Sequence, residues 1–320
     1  MMRDIDGYMS SQRLCMSSSS PYTLDEMAHV VNVRKGEMIT ASSSHSTASY
    51  NPYDLLRHMW HHRDLIIQLT MRELTQRYRS SYLGMLWTVI NPLLMLIIYT
   101  FIFSTVFQAK WGTLHTSQGQ GPGQFALTLF AGLIAFNVFS EVLNRAPGLI
   151  LQAPNYVKKI IFPLEILPVV ILNVALIQSL ISLIILITGI VFGLGVISPM
   201  MVLLPLAYLP LLFLCAGLGW FLASLGVYVH DTGHGVVFVV QVLFFMTPIF
   251  YPIHAVPEHF RTILYLNPLT TIIDGFRHIL LWDQPLTWTT WAVLTACTAT
   301  LAWGGYIWFM KTKEGFADVL

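Results

Sequence analysis

Charge is what this sequence has least of. Of its 320 residues only 10% are Asp, Glu, Lys or Arg, while 55% are hydrophobic; an ordinary soluble domain is about one quarter charged. So few charges cannot cover a soluble surface of this size, which excludes a water-soluble globular protein. Cysteine is also scarce: Cys15, Cys215 and Cys297 are odd in number and have no paired spacing, so neither a disulfide framework nor a zinc site is expected. No Gly-Lys pair occurs anywhere, which removes the phosphate-binding loop G-x-x-x-x-G-K-[ST] and with it ATP hydrolysis by that route. A formal net charge of +1 gives no sign of a nucleic-acid partner, and none is expected.

What is present in quantity is long apolar stretches. Residues 83–107 and 125–140 contain no Asp, Glu, Lys or Arg, and neither do the 65 residues 166–230. A membrane span needs about 20 apolar residues, so the longest stretch must hold two, hinged near Ser198 and Pro199. Segments 236–252 and 288–310 complete six spans. Between these last two, 253–285 is moderately apolar and interrupted by Pro257, Asn267-Pro268 and Asp274-Gly275. It is too polar to cross as one helix and too apolar for a free loop, which predicts a re-entrant helical hairpin. The expected fold is therefore an all-α integral membrane protein of six transmembrane helices.

Three regions are distinguished. Residues 1–50 carry eleven serines scattered among charges without a helical or strand period; they are expected to form a disordered cytoplasmic extension and contain no apolar run of the signal-peptide kind. Residues 51–82 are predicted to be an amphipathic interfacial helix. Leu56, Met59, Trp60, Ile67, Met71, Leu74 and Tyr78 recur at three- and four-residue steps, and Asp54, Arg57, His61, Asp64, Gln68 and Arg72 fill the other side. A soluble helix packed on a partner would show the same periodicity. Residues 83–320 form the transmembrane domain.

Lys and Arg set the orientation. With the N-terminus in the cytoplasm, fourteen of the seventeen lie on the cytoplasmic side, five of them between Arg57 and Arg79; Lys110, Arg261 and Arg277 lie outside. That bias is a strong positive-inside signal and places both termini in the cytoplasm.

The chemistry available to such a bundle is narrow. Ion-driven transporters place ionisable groups at mid-membrane, and these spans are nearly free of them. An enzyme would need clustered acids or a nucleophile with its base, and the sixteen acids are dispersed; no catalytic residue is expected. His58, His61 and His62, and His230 with His234, have helical spacing but no supporting acid or cysteine cluster, so a metal site is not expected. A transporter of this kind must borrow a partner ATPase. Its best receiver is the loop between the second and third spans, where Pro154 and Pro163 bracket a short basic amphiphilic segment, 155–162. Plain positive-inside charge beside a span explains the same lysines.

Several motifs then resemble one family. Arg77-Tyr78-Arg79-Ser80-Ser81-Tyr82-Leu83-Gly84-Met85-Leu86-Trp87, running into Asn91-Pro92-Leu93-Leu94, is similar to the arginine-rich approach to the first span in permeases of bacterial polysaccharide ABC exporters. These are the type 2 ABC transporters that export O-antigen, teichoic acid and related glycans. Ala153-Pro154-Asn155-Tyr156-Val157-Lys158-Lys159 is similar to that family's coupling-helix loop. Thr247-Pro248-Ile249-Phe250-Tyr251-Pro252 resembles the end of its fifth span, Tyr265-Leu266-Asn267-Pro268-Leu269 its re-entrant helices, and Phe316-Ala317-Asp318-Val319-Leu320 its C-terminus. Val229-His230-Asp231-Thr232-Gly233-His234 keeps only the Asp of the basic turn expected there.

The resemblance implies a homodimer in the bacterial inner membrane, paired with two ABC ATPase subunits that bind ATP and Mg while this chain binds no cofactor. It also implies a lipid-linked polysaccharide as cargo, and contact with membrane lipid. Asn155, Tyr156, Lys158 and Lys159 then become the coupling residues. Aromatic rings present flat faces to sugar C–H surfaces, which makes Trp87, Tyr99, Phe103, Phe107, Phe244, Phe245 and Tyr251 candidates for the substrate path; lipid-facing or core packing is the alternative for each. Arg72, Arg77 and Arg79 are candidates for the carrier headgroup. A drug- or lipid-exporting permease of the same architecture, or a membrane glycosyltransferase, are the rival readings.

Overall fold

The computed structural model describes residues 52–79, 82–106, 122–152, 162–195, 198–285 and 287–319. The described residues are helical almost throughout and contain no strand. The Ser-rich residues 1–50 lie outside them.

Two short helices precede the bundle, α1 (Pro52–His61) and α2 (Arg63–Tyr78). His62 leaves helical geometry between them, at φ −96° and ψ 15°, so the expected single interfacial helix is broken in two. The buried face also differs from the periodicity. Ile66, Thr70 and Leu74 are buried, while Trp60, Ile67 and Met71 are exposed. Ile66 packs with Ile166 and Val170 at the start of the third span. Two apolar surfaces thus share α2, one turned to the bundle and one turned outward, and sequence periodicity merges them into a single stripe.

Among the described residues, five helical stretches are long and apolar enough to cross a membrane: Gly84–Ile102, Gly123–Gly148, Leu164–Gly193, Pro199–Tyr228 and Trp288–Gly315. Their α-helical parts are α3 (Trp87–Tyr99), α4 (Pro122–Arg145), α5 (Leu167–Leu194), α6 (Leu204–Tyr228) and, last in the chain's spans, Trp288–Thr312. The remaining expected span is α7 (Thr232–Met246), an apolar helix of 15 residues. At 1.5 Å per residue it covers about 22 Å, short of a hydrocarbon layer of about 30 Å. The expected hinge at Ser198 and Pro199 is present. Gly195 closes α5 in the left-handed region at φ 69°, and the Ser198 hydroxyl accepts from the Met200 N–H to start the next segment.

Burial is distributed unevenly. The second span is 83% buried within the chain and the first only 6%. α4 is apolar all round because it is surrounded: its residues pack against α5, α6, α7 and the helix Pro268–Leu280 in one continuous core. Gly189 lies against α4, where a Cβ would come within 3.1 Å of the Leu127 side chain. A close helix approach joins α6 to Trp288–Thr312, where a Cβ on Gly305 would land on the Gly217 carbonyl.

The hairpin predicted between the fifth and sixth spans is formed by α8 (Glu258–Leu266) and α9 (Pro268–Leu280), followed by α10 (Trp288–Thr312) and the terminal turn α11 (Phe316–Val319). Asn267 caps α9 through its side-chain oxygen and donates to the Thr247 hydroxyl at 2.9 Å. Arg277, placed by sequence among the outward loop charges, is instead 1% exposed. It donates to the carbonyls of Thr128 at 3.2 Å, Pro248 at 2.8 Å and Ile249 at 2.8 Å. Where α7 stops at Met246, the chain leaves backbone oxygens without helical partners, and a fork of N–H donors satisfies them in the core. A guanidinium buried for that purpose cannot be told from a loop cation by counting charges.

Glu165 ties α1 to the turn that follows α10. Its carboxylate lies 2.6 Å from Lys313 Nζ and 2.9 Å from His58 Nε2, while its carbonyl accepts from Trp220 Nε1. Three segments assigned to the cytoplasmic side by the positive-inside pattern thus meet at one point.

Candidate functional site

The site grows from a packing defect between the poorly buried first span and the fully buried second. α3 contains Pro92, whose missing N–H frees the Thr88 carbonyl. Between α3, α4, α5 and the end of α7 lies a cavity of about 650 Å³, within the roughly 300–1,000 Å³ of small-ligand sites. Its lining runs along α3 from Trp87 to Tyr99, about 18 Å of helix.

The walls are uncharged but not greasy. Asn91, Asn137, Gln178, Ser140, Ser179 and Ser182 face the cavity alongside Trp87, Tyr99, Phe130 and Phe244. Asn137 is the one exposed residue between Phe125 and Leu143 on a helix otherwise turned inward. Such a wall offers amide and hydroxyl groups for hydrogen bonding and ring faces for stacking. Tyr99 meets Phe250 edge-on at 6.3 Å, and Phe244 meets both Phe250 and Phe136 at 5.1 Å, so the aromatic end of the cavity rests on further rings.

Charge appears at one end only. Arg77 of α2 and Glu141 of α4 both line the cavity, and Arg77 Nη2 donates to Glu141 Oε1 at 2.7 Å. Arg145, one turn further along α4, reaches the same oxygen at 3.4 Å and also pairs with Glu73 of α2. The four side chains form a neutral ladder joining α2 to the end of α4. It also explains why the second helix continues past Ser140, where the uncharged run ends.

A match to known families now bears on this arrangement. The model of the ABC-2 type transporter family matches residues 64–281, most of the described helices and every element that lines the cavity. The chain belongs to the ABC-2 type transporter family.

Relatives of this ABC-2 transporter are permeases by name. The O-antigen export system permease protein RfbA of Myxococcus xanthus is 28% identical over 277 residues, covering 82% of this chain and 98% of that protein. RfbA of Klebsiella pneumoniae is 27% identical over 260 residues, covering 80% and 95%. The polysialic acid transport protein KpsM of Escherichia coli is 26% identical over 216 residues, covering 65% and 78%.

Within this multi-pass ABC-2 transporter the residues singled out by sequence fall in different places. Trp87, Tyr99 and Phe244 line the cavity. Phe245 is exposed, its ring centre 5.4 Å from that of Phe244, and the Tyr251 hydroxyl donates to the Phe245 carbonyl at 3.0 Å; neither lines the cavity. The Phe103 side chain and Phe107 lie outside the described residues, as do Asn155, Tyr156, Lys158 and Lys159. Of the three arginines, Arg77 lines the cavity, whereas Arg72 and Arg79 are exposed residues outside its lining. Sequence reasoning passed over Asn91, Asn137 and Gln178. Their signal was legible all the same: amides inside apolar spans are costly in lipid unless they face a partner or a cavity.

Proposed function

We propose that the chain is the membrane-spanning permease of an ATP-driven exporter that carries lipid-linked, O-antigen-like polysaccharide from the cytoplasm across the bacterial inner membrane. It acts as a homodimer with two ABC ATPase subunits, which bind ATP and Mg, and both of its termini face the cytoplasm. The observation that carries this reading is the cavity wall of amides, hydroxyls and rings inside a membrane bundle, with one guanidinium, Arg77, paired to Glu141 at one end. A polyhydroxylated glycan needs that combination, and a hydrophobic drug does not. Family membership and the names of the relatives support it.

Each remaining part has a place in this scheme. α1 and α2 lie along the cytoplasmic membrane surface, with Trp60, Ile67 and Met71 exposed toward lipid. The scarcely buried first span leaves Leu94, Ile97 and Phe101 on an outer face for a second copy or for lipid. The segment Asn155, Tyr156, Lys158 and Lys159 docks on the ATPase. Arg77, with Arg72 and Arg79 nearby in sequence, receives the diphosphate of the polyprenyl carrier through paired charge-assisted hydrogen bonds. Trp87, Tyr99 and Phe244, continued by Phe103 and Phe107, guide the sugars.

Deleting the gene in its host should abolish surface polysaccharide while lipid-linked glycan accumulates in the cytoplasmic leaflet, and plasmid-borne wild-type chain should restore export. Undiminished surface polysaccharide in the deletion strain would reject the reading.

A further inference from the structure

A carboxylate on the wall of a site for a diphosphate opposes the ligand's charge. Glu141 is such a carboxylate: it lines the cavity and its Oε1 takes the Arg77 guanidinium at 2.7 Å. The same oxygen has a second cation in reach, Arg145 Nη1 at 3.4 Å on its own helix, and Arg145 is itself held by Glu73. Of these four, Arg77 and Glu141 are the charged groups among the described residues that line the cavity, and Glu73 and Arg145 pair behind them. Where α3 and α5 line the cavity they add only uncharged side chains such as Trp87, Asn91, Gln178 and Ser182.

We infer that Glu141 is an internal placeholder for a diphosphate: in the unloaded protein it holds Arg77 at the cavity mouth, and an incoming polyprenyl diphosphate takes Arg77 while Glu141 falls back on Arg145. This rests on the carrier reading of Arg77 given above. A carboxylate and a phosphate compete for the same planar fork of N–H donors. Release of Arg77 leaves Glu141 paired, so the exchange strands no charge in a partly buried place. The Arg77 and Glu141 side chains are 33% and 22% exposed, so their pairing is weak enough to yield to a ligand carrying more charge. Arg145 thus acts as a positioning residue, through Glu141, without touching the ligand.

The test measures binding of farnesyl diphosphate to the full chain in phosphatidylcholine nanodiscs, with inorganic pyrophosphate run in parallel. Glu141→Gln should bind farnesyl diphosphate about fivefold more tightly than wild type, the worth of one weak ion pair removed as competitor. Arg145→Gln removes the fallback and should bind more weakly by a similar factor, whereas a ladder that only braces the helices would weaken binding in both variants. Glu141→Asp, one methylene shorter, should move in the same direction as Glu141→Gln and serves if the amide variant does not fold. Arg77→Lys should weaken binding. Equal or weaker binding by both Glu141 variants, with Arg77→Lys still weakened, would overturn the placeholder and leave the carrier reading intact. No loss in Arg77→Lys, or no binding of farnesyl diphosphate at all, would overturn both. Inorganic pyrophosphate binding as tightly as farnesyl diphosphate, with the same gain in Glu141→Gln, would keep the exchange and overturn the lipid as its ligand.

Discussion

Arg277 Nη2 donates to the carbonyl oxygen of Ile249 at 2.8 Å, joining the buried end of α9 to the stretch where the fifth apolar segment leaves its helix. The same guanidinium bonds Pro248 and, on α4, Thr128, so one side chain holds three elements together.

Replacing Arg277 by Met should therefore be far more damaging than its count as one loop cation implies. Loss of several charge-assisted hydrogen bonds leaves carbonyls unsatisfied, and a cost of about 3–5 kcal/mol is expected. Thermal unfolding in detergent should show a large drop in midpoint. Lys311→Met, at an exposed position in the last turn of α10, should leave the midpoint nearly unchanged.

Helix contact between α6 and α10 gives a sharper comparison. A Cβ at Gly305 meets the Gly217 backbone, whereas one at the adjacent Gly304 meets nothing within 4 Å. Gly305→Ala should destabilise the chain by about 1–3 kcal/mol by forcing the helices apart. Gly304→Ala should be neutral or slightly stabilising, since Ala is the better helix former by about 1 kcal/mol. Equal midpoints for the two variants would contradict the packing.

For the cavity itself, Asn137→Leu and Tyr99→Ala should slow export of long glycan without a matching fall in protein abundance. Asn137 is exposed on α4, so the change to Leu removes no core contact; it replaces an amide on the cavity wall by an apolar group. A slowing of about tenfold is expected, the equivalent of roughly one hydrogen bond in the rate-limiting step. Pulse-labelled surface polysaccharide, normalised to the amount of permease in the membrane, is the measurement, and normal export in both variants would remove this cavity from the path.

Coupling is tested on residues sequence alone points to. Glu at both Lys158 and Lys159 should leave the permease inserted and dimeric, keep ATP hydrolysis by the partner subunits, and uncouple it from export. Normal export by the double variant would assign the lysines to topology alone.

Periodicity and composition carried far in this chain, and their failures have definite causes. The spans were legible because lipid admits only long apolar helices, and a charge-free stretch of 65 residues has one physical use. The break near Ser198 and the capped turn at Asn267 were legible from Pro, Gly and Asn, which act locally. The split at His62 was not, since nothing in a histidine announces a helix break. The packed face of α2 was read only in part because Ile66 meets a helix about a hundred residues away, and periodicity cannot say which of two apolar faces a neighbour will cover.

Composition by itself thus decided that this is a helical membrane protein, and motifs decided its family. Only the tertiary structure decided that Arg277 is a buried fastener between distant elements, whereas Arg261 bonds the carbonyls of His254 and Val256 a few residues before it. It alone placed Asn91, Asn137 and Gln178 around one cavity and put Glu141 between Arg77 and Arg145. The reason is one of range. Partition into lipid and local backbone preference act on each residue where it stands in the chain, whereas a hydrogen-bond partner for a buried fork, or a cavity for an amide, exists only after distant helices have packed.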